Sequence, residues 1–375
     1  MFFTVLMLMR RIILPVLPLV LALLACKPGP QSGRDTISLV KVIASETGNP
    51  EHSLLASFHK VPSSGNIYII GTPGSCDMIC RDFLSCDVFE NARGREWSDG
   101  LKDFAGETFA CVRDHDYTPY DTLLAHNGEE ALRELAVRYA LSAISSKCSV
   151  SVYDLDGNHE KNPAKMIILA DPWLLDKGKF DIDTLFALTG CKVPVLSPQE
   201  LLMDAALGGG KKYFNCGILC DSTYLSGGVY PALFAHETRS RDIIGARCFA
   251  SATPASGCIL CAFLDAYQEA GNSEPLDALL IDDWSVDPVT VQKEVEAIKD
   301  FNREEYLRYG KLLAADFAVF HSSAITMSAC YSLLRERSLF THRIAQPESV
   351  DYVVKPYPEA SDMRFLLIPS ENVQD

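Results

Sequence analysis

Short apolar runs rich in β-branched residues recur along this chain, each ending at a polar or glycine-containing loop. They cover residues 66–70, 108–112, 166–170, 193–196, 213–219, 246–250, 276–281 and 317–320. Helical patterns lie between many of them. The clearest spans 127–146, with Asn127 placed as N-cap, Glu130 at the spacing of a capping box, and Leu132, Leu135, Tyr139 and Ala140 in helical period. Another opens at Asp287-Pro288, an N-cap followed by proline, with Val291, Val295 and Ile298 on one face. Two more run from about 254 to 269 and from 324 to 336. Residues 36–60 are ambiguous, and 37–43 fit a strand. Strands alternating with helices are the signature of βαβ units. The expected fold is therefore α/β, with two successive lobes of mainly parallel sheet flanked by helices. A glycine run at 208–210 marks the boundary, giving lobes of 36–209 and 210–375. The run lacks the Gly-Lys-Ser/Thr of a phosphate loop and ends a helix instead of opening one, so it reads as a C-cap and hinge.

Before the first lobe stands an apolar segment that follows Arg10 and Arg11 and ends at Leu23-Leu24-Ala25-Cys26. Basic, apolar and small-residue regions in that order, with cysteine just beyond, resemble the lipobox of a bacterial lipoprotein signal peptide. The resemblance implies removal of 1–25, lipidation of Cys26 and attachment to a lipid membrane. It also implies a cell-envelope location, with an outer-membrane anchor facing the periplasm expected from Lys27. The alternative is a single transmembrane anchor. The stretch from 12 to 25 is 14 residues with Pro15 and Pro18 inside it, short of the roughly 20 that span a bilayer. Residues 26–35, rich in proline and glycine, suit a flexible tether.

The formal charge is −15, and taking away Arg10 and Arg11 with the leader gives −17. An acidic surface without a basic cluster repels phosphate backbones, so nucleic acid is excluded as a partner. Thirteen cysteines leave three readings open after Cys26: buried thiols, disulfides or a structural metal. Cys258 and Cys261 share one face of a probable helix, and so do Cys76 and Cys80 if that segment is helical. No CxxC pairs with another at zinc spacing. No cofactor and no metal are expected.

Ligands of open parallel sheets bind beyond the carboxyl ends of the strands, which turns the strand assignment into a site assignment. The first lobe offers Thr72, Ser75, Asp77, Asp114, His115, Asp171 and Trp173. The second offers Asp221, Ser222, Ser226, Ser251, Thr253, Asp282, Trp284, His321 and Ser322. Backbone N–H groups in the loop 71–77 suit an anion or a polar ligand edge. Trp173 and Trp284 could sandwich a flat ring while aspartates accept hydrogen bonds. The same Asp, Ser and Thr residues are also the ordinary N-caps of the following helices, and tryptophan is more often core. Catalytic patterns are weak: Gly-x-Ser-x-Gly, HExxH, a P-loop and GxGxxG after a strand are all missing.

This organisation resembles the type I periplasmic solute-binding proteins, including the basic membrane lipoprotein group, over about residues 66–369. The most suggestive stretch is 249–257 followed by a helix and then 276–283. The resemblance implies a small polar ligand, nucleoside- or sugar-like, held between lobes with Trp173 and Asp114 facing Trp284, Asp221 and Asp282. It implies a transporter as partner and a binding role instead of an enzymatic one. The alternatives are a lipid-anchored hydrolase using Ser, His and Asp groups, and a cell-envelope interaction module.

Overall fold

Strands appear where the apolar runs predict them, and the chain then does something local patterns do not show. The computed structural model describes residues 34–90, 94–241, 243–300, 306–358 and 360–373. It forms two units, the first made of Lys27–Ser197 with Ala329–Asp375 and the second of Pro198–Ser328. The opening stretch of the first unit contributes β1 (Asn66–Gly71), β2 (Thr108–Arg113), β3 (Lys147–Cys148), β4 (His159–Glu160), β5 (Ala164–Leu169) and β6 (Val195–Leu196). The second unit contains β7 (Asn215–Cys220), β8 (Arg247–Ala252), β9 (Leu276–Asp282) and β10 (Leu313–His321). The returning chain adds β11 (Glu348–Pro356) and β12 (Phe365–Pro369) to the first unit.

The first unit's sheet runs β12-β11-β2-β1-β5-β6, parallel except where β12 turns back on β11. β1 and β5 are buried at every position, the signature of strands covered by helices on both faces. β3 and β4 form a separate small antiparallel pair. The second unit's sheet is β10-β9-β7-β8, parallel throughout. The fold is thus α/β, with a helix-flanked parallel sheet in each unit.

Several local expectations shift. The helix Pro198–Leu207 packs on β9 and β10, so the chain enters the second unit at Pro198 and not at the glycine run. That run follows the helix as its terminator, with Gly208 N–H donating to Asp204 O at 3.0 Å and Gly210 at φ +68°. The stretch 37–43 is helical, within Ser38–Ser45, because Val40 and Ile43 are buried on one face. Asp181, itself buried, accepts the Ile37 N–H at 3.1 Å just before that helix. The helix expected from Asn127 is the later part of Tyr120–Ile144, broken at Gly128 with φ 84° and ψ 174°. Only glycine adopts that conformation without strain.

One buried ion pair ties the returning chain to the first unit. Lys165 on β5 and Glu107 just before β2 pair with both side chains fully buried. The Lys165 ammonium also donates to Ser63 O at 2.9 Å, Leu339 O at 2.8 Å and Thr341 Oγ1 at 2.8 Å. Glu107 in turn accepts the Thr341 N–H at 2.7 Å. Burial pulls the Lys165 pKa down, and the Glu107 carboxylate opposes that fall. Removing one partner strands the other charge, so Lys165→Met or Glu107→Gln should each cost about 3–5 kcal/mol. Urea unfolding checks this: Lys165→Met combined with Glu107→Gln should be less damaging than the sum of those two singles, and an additive result would show that the pair is not coupled.

Candidate active site

In the second unit, the chain places β8 on one side of β7 and β9 on the other. Strand order reverses there, and the crevice at the carboxyl ends of such strands is where open α/β sheets take ligands. Cys220 and Asp282 are register partners that end β7 and β9 at this point. Asp282 is buried, and its Oδ2 accepts the Tyr230 hydroxyl at 2.5 Å and the Gln199 amide at 2.9 Å. Its Oδ1 is buried and has no hydrogen-bond partner of good geometry. Burial pushes the carboxyl pKa up to about 6, although Tyr230, Gln199 and the nearby Ser322 hydroxyl all pull the other way. The Ser322 and Thr326 hydroxyls, one turn apart on the helix Ser322–Glu336, are also buried without well-aligned partners. The Cys220 thiol is raised well above its usual range, chiefly by burial and then by the Asp282 charge.

Around this carboxyl the other expected residues take varied places. Asp221 is exposed and caps its own turn by accepting the Thr223 N–H at 2.8 Å. Ser222 and Ser226 are exposed on the same loop, while Ser251 is half-buried within β8, one residue before its end. Thr253 extends the ladder by donating its N–H to Cys220 O at 3.0 Å. Trp284 is 6% exposed and belongs to the core. His321 has both ring nitrogens engaged by backbone: Nε2 stands 2.9 Å from Val286 O, and Nδ1 accepts the Ser323 N–H at 3.2 Å. That pattern fixes a neutral ring protonated on Nε2 and leaves no nitrogen on His321 to activate a serine, so a triad built on His321 fails on geometry.

The first unit repeats the device of a strand-end aspartate under a tyrosine. Asp114 follows β2 and accepts the Tyr139 hydroxyl at 2.5 Å and the N–H groups of Tyr117 and Asp116 at 2.9 and 3.1 Å. Burial raises its pKa and those donors oppose the rise. Here Oδ1 and Oδ2 are both used, which makes Asp114 an organiser of its loop. Thr72 caps the helix Pro73–Ser85, accepting the Ser75 N–H at 3.3 Å, with the two hydroxyl oxygens 2.7 Å apart. Asp77 pairs with Arg113 at 2.6 Å, and His115 is exposed. Asp171 accepts the Trp173 N–H at 2.8 Å, and Trp173 is buried.

Tyr230, Gln199 and Cys220 were not among the expected site residues. The strand-end rule takes only residues just beyond a strand, whereas two of these sit on helices and one inside the strand. A weak signal did exist, since a tyrosine in an apolar helical stretch such as 229–234 needs a partner for its hydroxyl. A cavity of about 230 Å³ in the same unit, lined by Ala205, Phe214, Asp277, Ala278 and Asp316, lies elsewhere. Its strand residue Ala278 is four positions from Asp282, roughly 13 Å along β9. Among the described residues no group of three or more His, Cys, Asp and Glu could hold a metal ion, and no helix is long and apolar enough to cross a membrane.

No family model matches the chain, and neither does any curated protein. Solved structures of glutamate racemases do match. That of Francisella tularensis, in complex with D-glutamate, is 14% identical with a TM-score of 0.47 over 78% of this chain and 88% of that one. That of Thermus thermophilus, in complex with β-chloro-D-alanine, is 14% identical with a TM-score of 0.43 over 80% and 90%. That of Bacillus anthracis is 13% identical with a TM-score of 0.43 over 78% and 89%. Values this low transfer neither substrate nor residue role to this chain. These neighbours are enzymes, not solute-binding proteins or lipoproteins, and they overturn the expected resemblance to type I periplasmic solute-binding proteins. The inter-lobe ligand site, the interaction module and the non-enzyme expectation fall with it. The error has a physical source: alternating strands and helices specify an architecture that many chemistries share. The lipidation expected at Cys26 lies outside the described residues.

The Asp282 carboxyl ties stability to pH. Its pKa is about 6 in the folded protein against 3.8 for an unperturbed aspartate. Its contribution to stability is therefore fully present below pH 3.8 and is lost as pH rises through about 6. Asp282→Asn keeps an acceptor for Tyr230 and removes the buried charge. It should stabilise the protein at pH 8 by on the order of 1–3 kcal/mol and bring no such gain at pH 4. Denaturant unfolding at both pH values measures this, and equal destabilisation at the two would refute a raised Asp282 pKa.

Proposed function

We propose that the second unit's sheet edge is the working site of an enzyme that moves a proton on a small polar molecule, with Asp282 Oδ1 as the atom that holds it. One observation carries this reading: a buried carboxyl at the strand-order reversal has one oxygen fixed by two donors, while the other has no well-aligned partner and only the Ser322 hydroxyl near the carboxyl. Asp114, the corresponding aspartate of the first unit, has both oxygens satisfied. A pKa near 6 leaves Asp282 able to accept or give a proton near neutral pH, as general acid–base catalysis requires. Tyr230 and Gln199 hold the carboxyl in one orientation, so a substrate would meet a preorganised group. The rim favours some substrates over others. Asp221 and Asp283 add negative charge at the same edge and repel anionic groups. The Thr223 and Thr253 hydroxyls offer neutral hydrogen-bonding groups nearby. Small neutral or amine-bearing molecules suit this setting best.

Proton exchange provides the test. The full chain is incubated in D2O with a panel of amines and amino acids, D-glutamate included, and deuterium uptake at carbon is followed by NMR. At least one compound should exchange, with a rate that changes near pH 6 and falls by about 10²-fold or more in Asp282→Asn. Full exchange activity in folded Asp282→Asn would remove Asp282 from the reaction.

A further inference from the structure

Cys258 and Cys261 are joined by a disulfide, their Cα atoms 5.2 Å apart, at the start of the helix Ile259–Glu269. The other ten described cysteines are free thiols. Two of those, Cys216 and Cys248, are register partners on neighbouring strands and still do not pair. A bridge across three positions closes a very short loop, and the constraint a cross-link puts on the unfolded chain grows with loop length. Structural stabilisation is thus the weakest reason for this bond to exist.

Its surroundings suit exchange chemistry. Cys258 is the N-cap, and the Cys261 N–H points to its sulfur at 3.2 Å. The same N–H, with the helix N-terminus behind it, would support negative charge on Cys258 after reduction. Cys258 is half-buried and follows the exposed residues Ala255, Ser256 and Gly257, whereas Cys261 is buried in the unit's core. An incoming thiol therefore reaches Cys258 first. Glu294 shapes the balance. Its carboxylate accepts the Ile259 and Leu260 N–H groups at 3.0 and 2.8 Å, placing a negative charge beside the pair. That charge disfavours a thiolate and so favours the disulfide over the dithiol.

We propose that Cys258 and Cys261 form a reversible dithiol/disulfide couple that exchanges with external thiols through Cys258, independently of Asp282. A thiolate of an external dithiol attacks Cys258 Sγ, the Cys258–Cys261 bond breaks, and Cys261 Sγ leaves with the electron pair and takes a proton from water. The reductant's second thiolate then attacks its own sulfur in the mixed disulfide, and Cys258 leaves as a thiolate that is protonated. The reductant is oxidised by two electrons and the protein is reduced by two.

The full chain tests this with dithiothreitol and glutathione disulfide as probes. In folded wild-type protein, dithiothreitol should open this pair, read as new alkylation at Cys258 that is absent before reduction, with buried Cys261 unmodified and an unchanged circular dichroism spectrum. Glutathione disulfide should then restore the bond. Cys261→Ser should take up one glutathione at Cys258, and Cys258→Ser should take up none at Cys261. Adding Glu294→Gln to Cys261→Ser should speed that uptake roughly threefold to tenfold at neutral pH, since more Cys258 is then thiolate. A wild-type disulfide that resists dithiothreitol until urea unfolds the chain would overturn the proposal. So would a folded Cys261→Ser protein whose Cys258 glutathione disulfide does not modify.

Discussion

The first unit depends on the buried pair of Lys165 and Glu107. Four separated pieces of chain meet there: the loop at Ser63, Glu107 just before β2, Lys165 on β5, and the returning segment at Leu339 and Thr341. A charged pair removed from water is tolerated only when every remaining donor and acceptor is used, and here the ammonium finds two carbonyls and a hydroxyl besides the carboxylate. The arrangement fixes where the last stretch of chain re-enters, and so allows β11 to pair with β2 in register. Hydrophobic burial alone would leave that placement less specific, because apolar contacts carry little direction.

A second constraint shapes the candidate site. Parallel strands of a unit end at one edge, so residues far apart in sequence arrive side by side there. Cys220 and Asp282 meet because β7 and β9 are neighbours, and Gln199 and Tyr230 meet the same carboxyl from two helices. The two units use the same combination of aspartate and tyrosine with opposite outcomes. Asp114 receives backbone N–H groups as well as its tyrosine and is fully engaged. Asp282 receives only side chains, and its second oxygen has no well-aligned donor.

Much of the architecture could be read from local pattern. The eight apolar runs foretold all four strands of the second unit and four of the first, most directly for β1, β5, β7 and β9, because a strand buried on both faces must be apolar at successive positions. The short pair β3 and β4, and β11 and β12, escaped notice. Asp351 and Lys355 interrupt the apolar character of β11, whose pairing with β2 supplies the burial that its own sequence does not advertise. The stretch at 37–43 misled for the opposite reason, since a short apolar run fits a strand or a buried helix face equally well.

The sequence by itself determined the α/β class, most strand positions and the acidic, polar residues that lie beyond strand ends, because each follows from side-chain periodicity and capping over a few neighbours. Tertiary structure alone decided the strand order, the return of the last segment to the first unit and the properties of Asp282. A carboxyl's pKa depends on how far water is excluded and on which donors reach it, and Asp282 owes its value to burial set against Tyr230, Gln199 and Ser322. Those residues lie 40 or more positions away along the chain, so no local window contains the site.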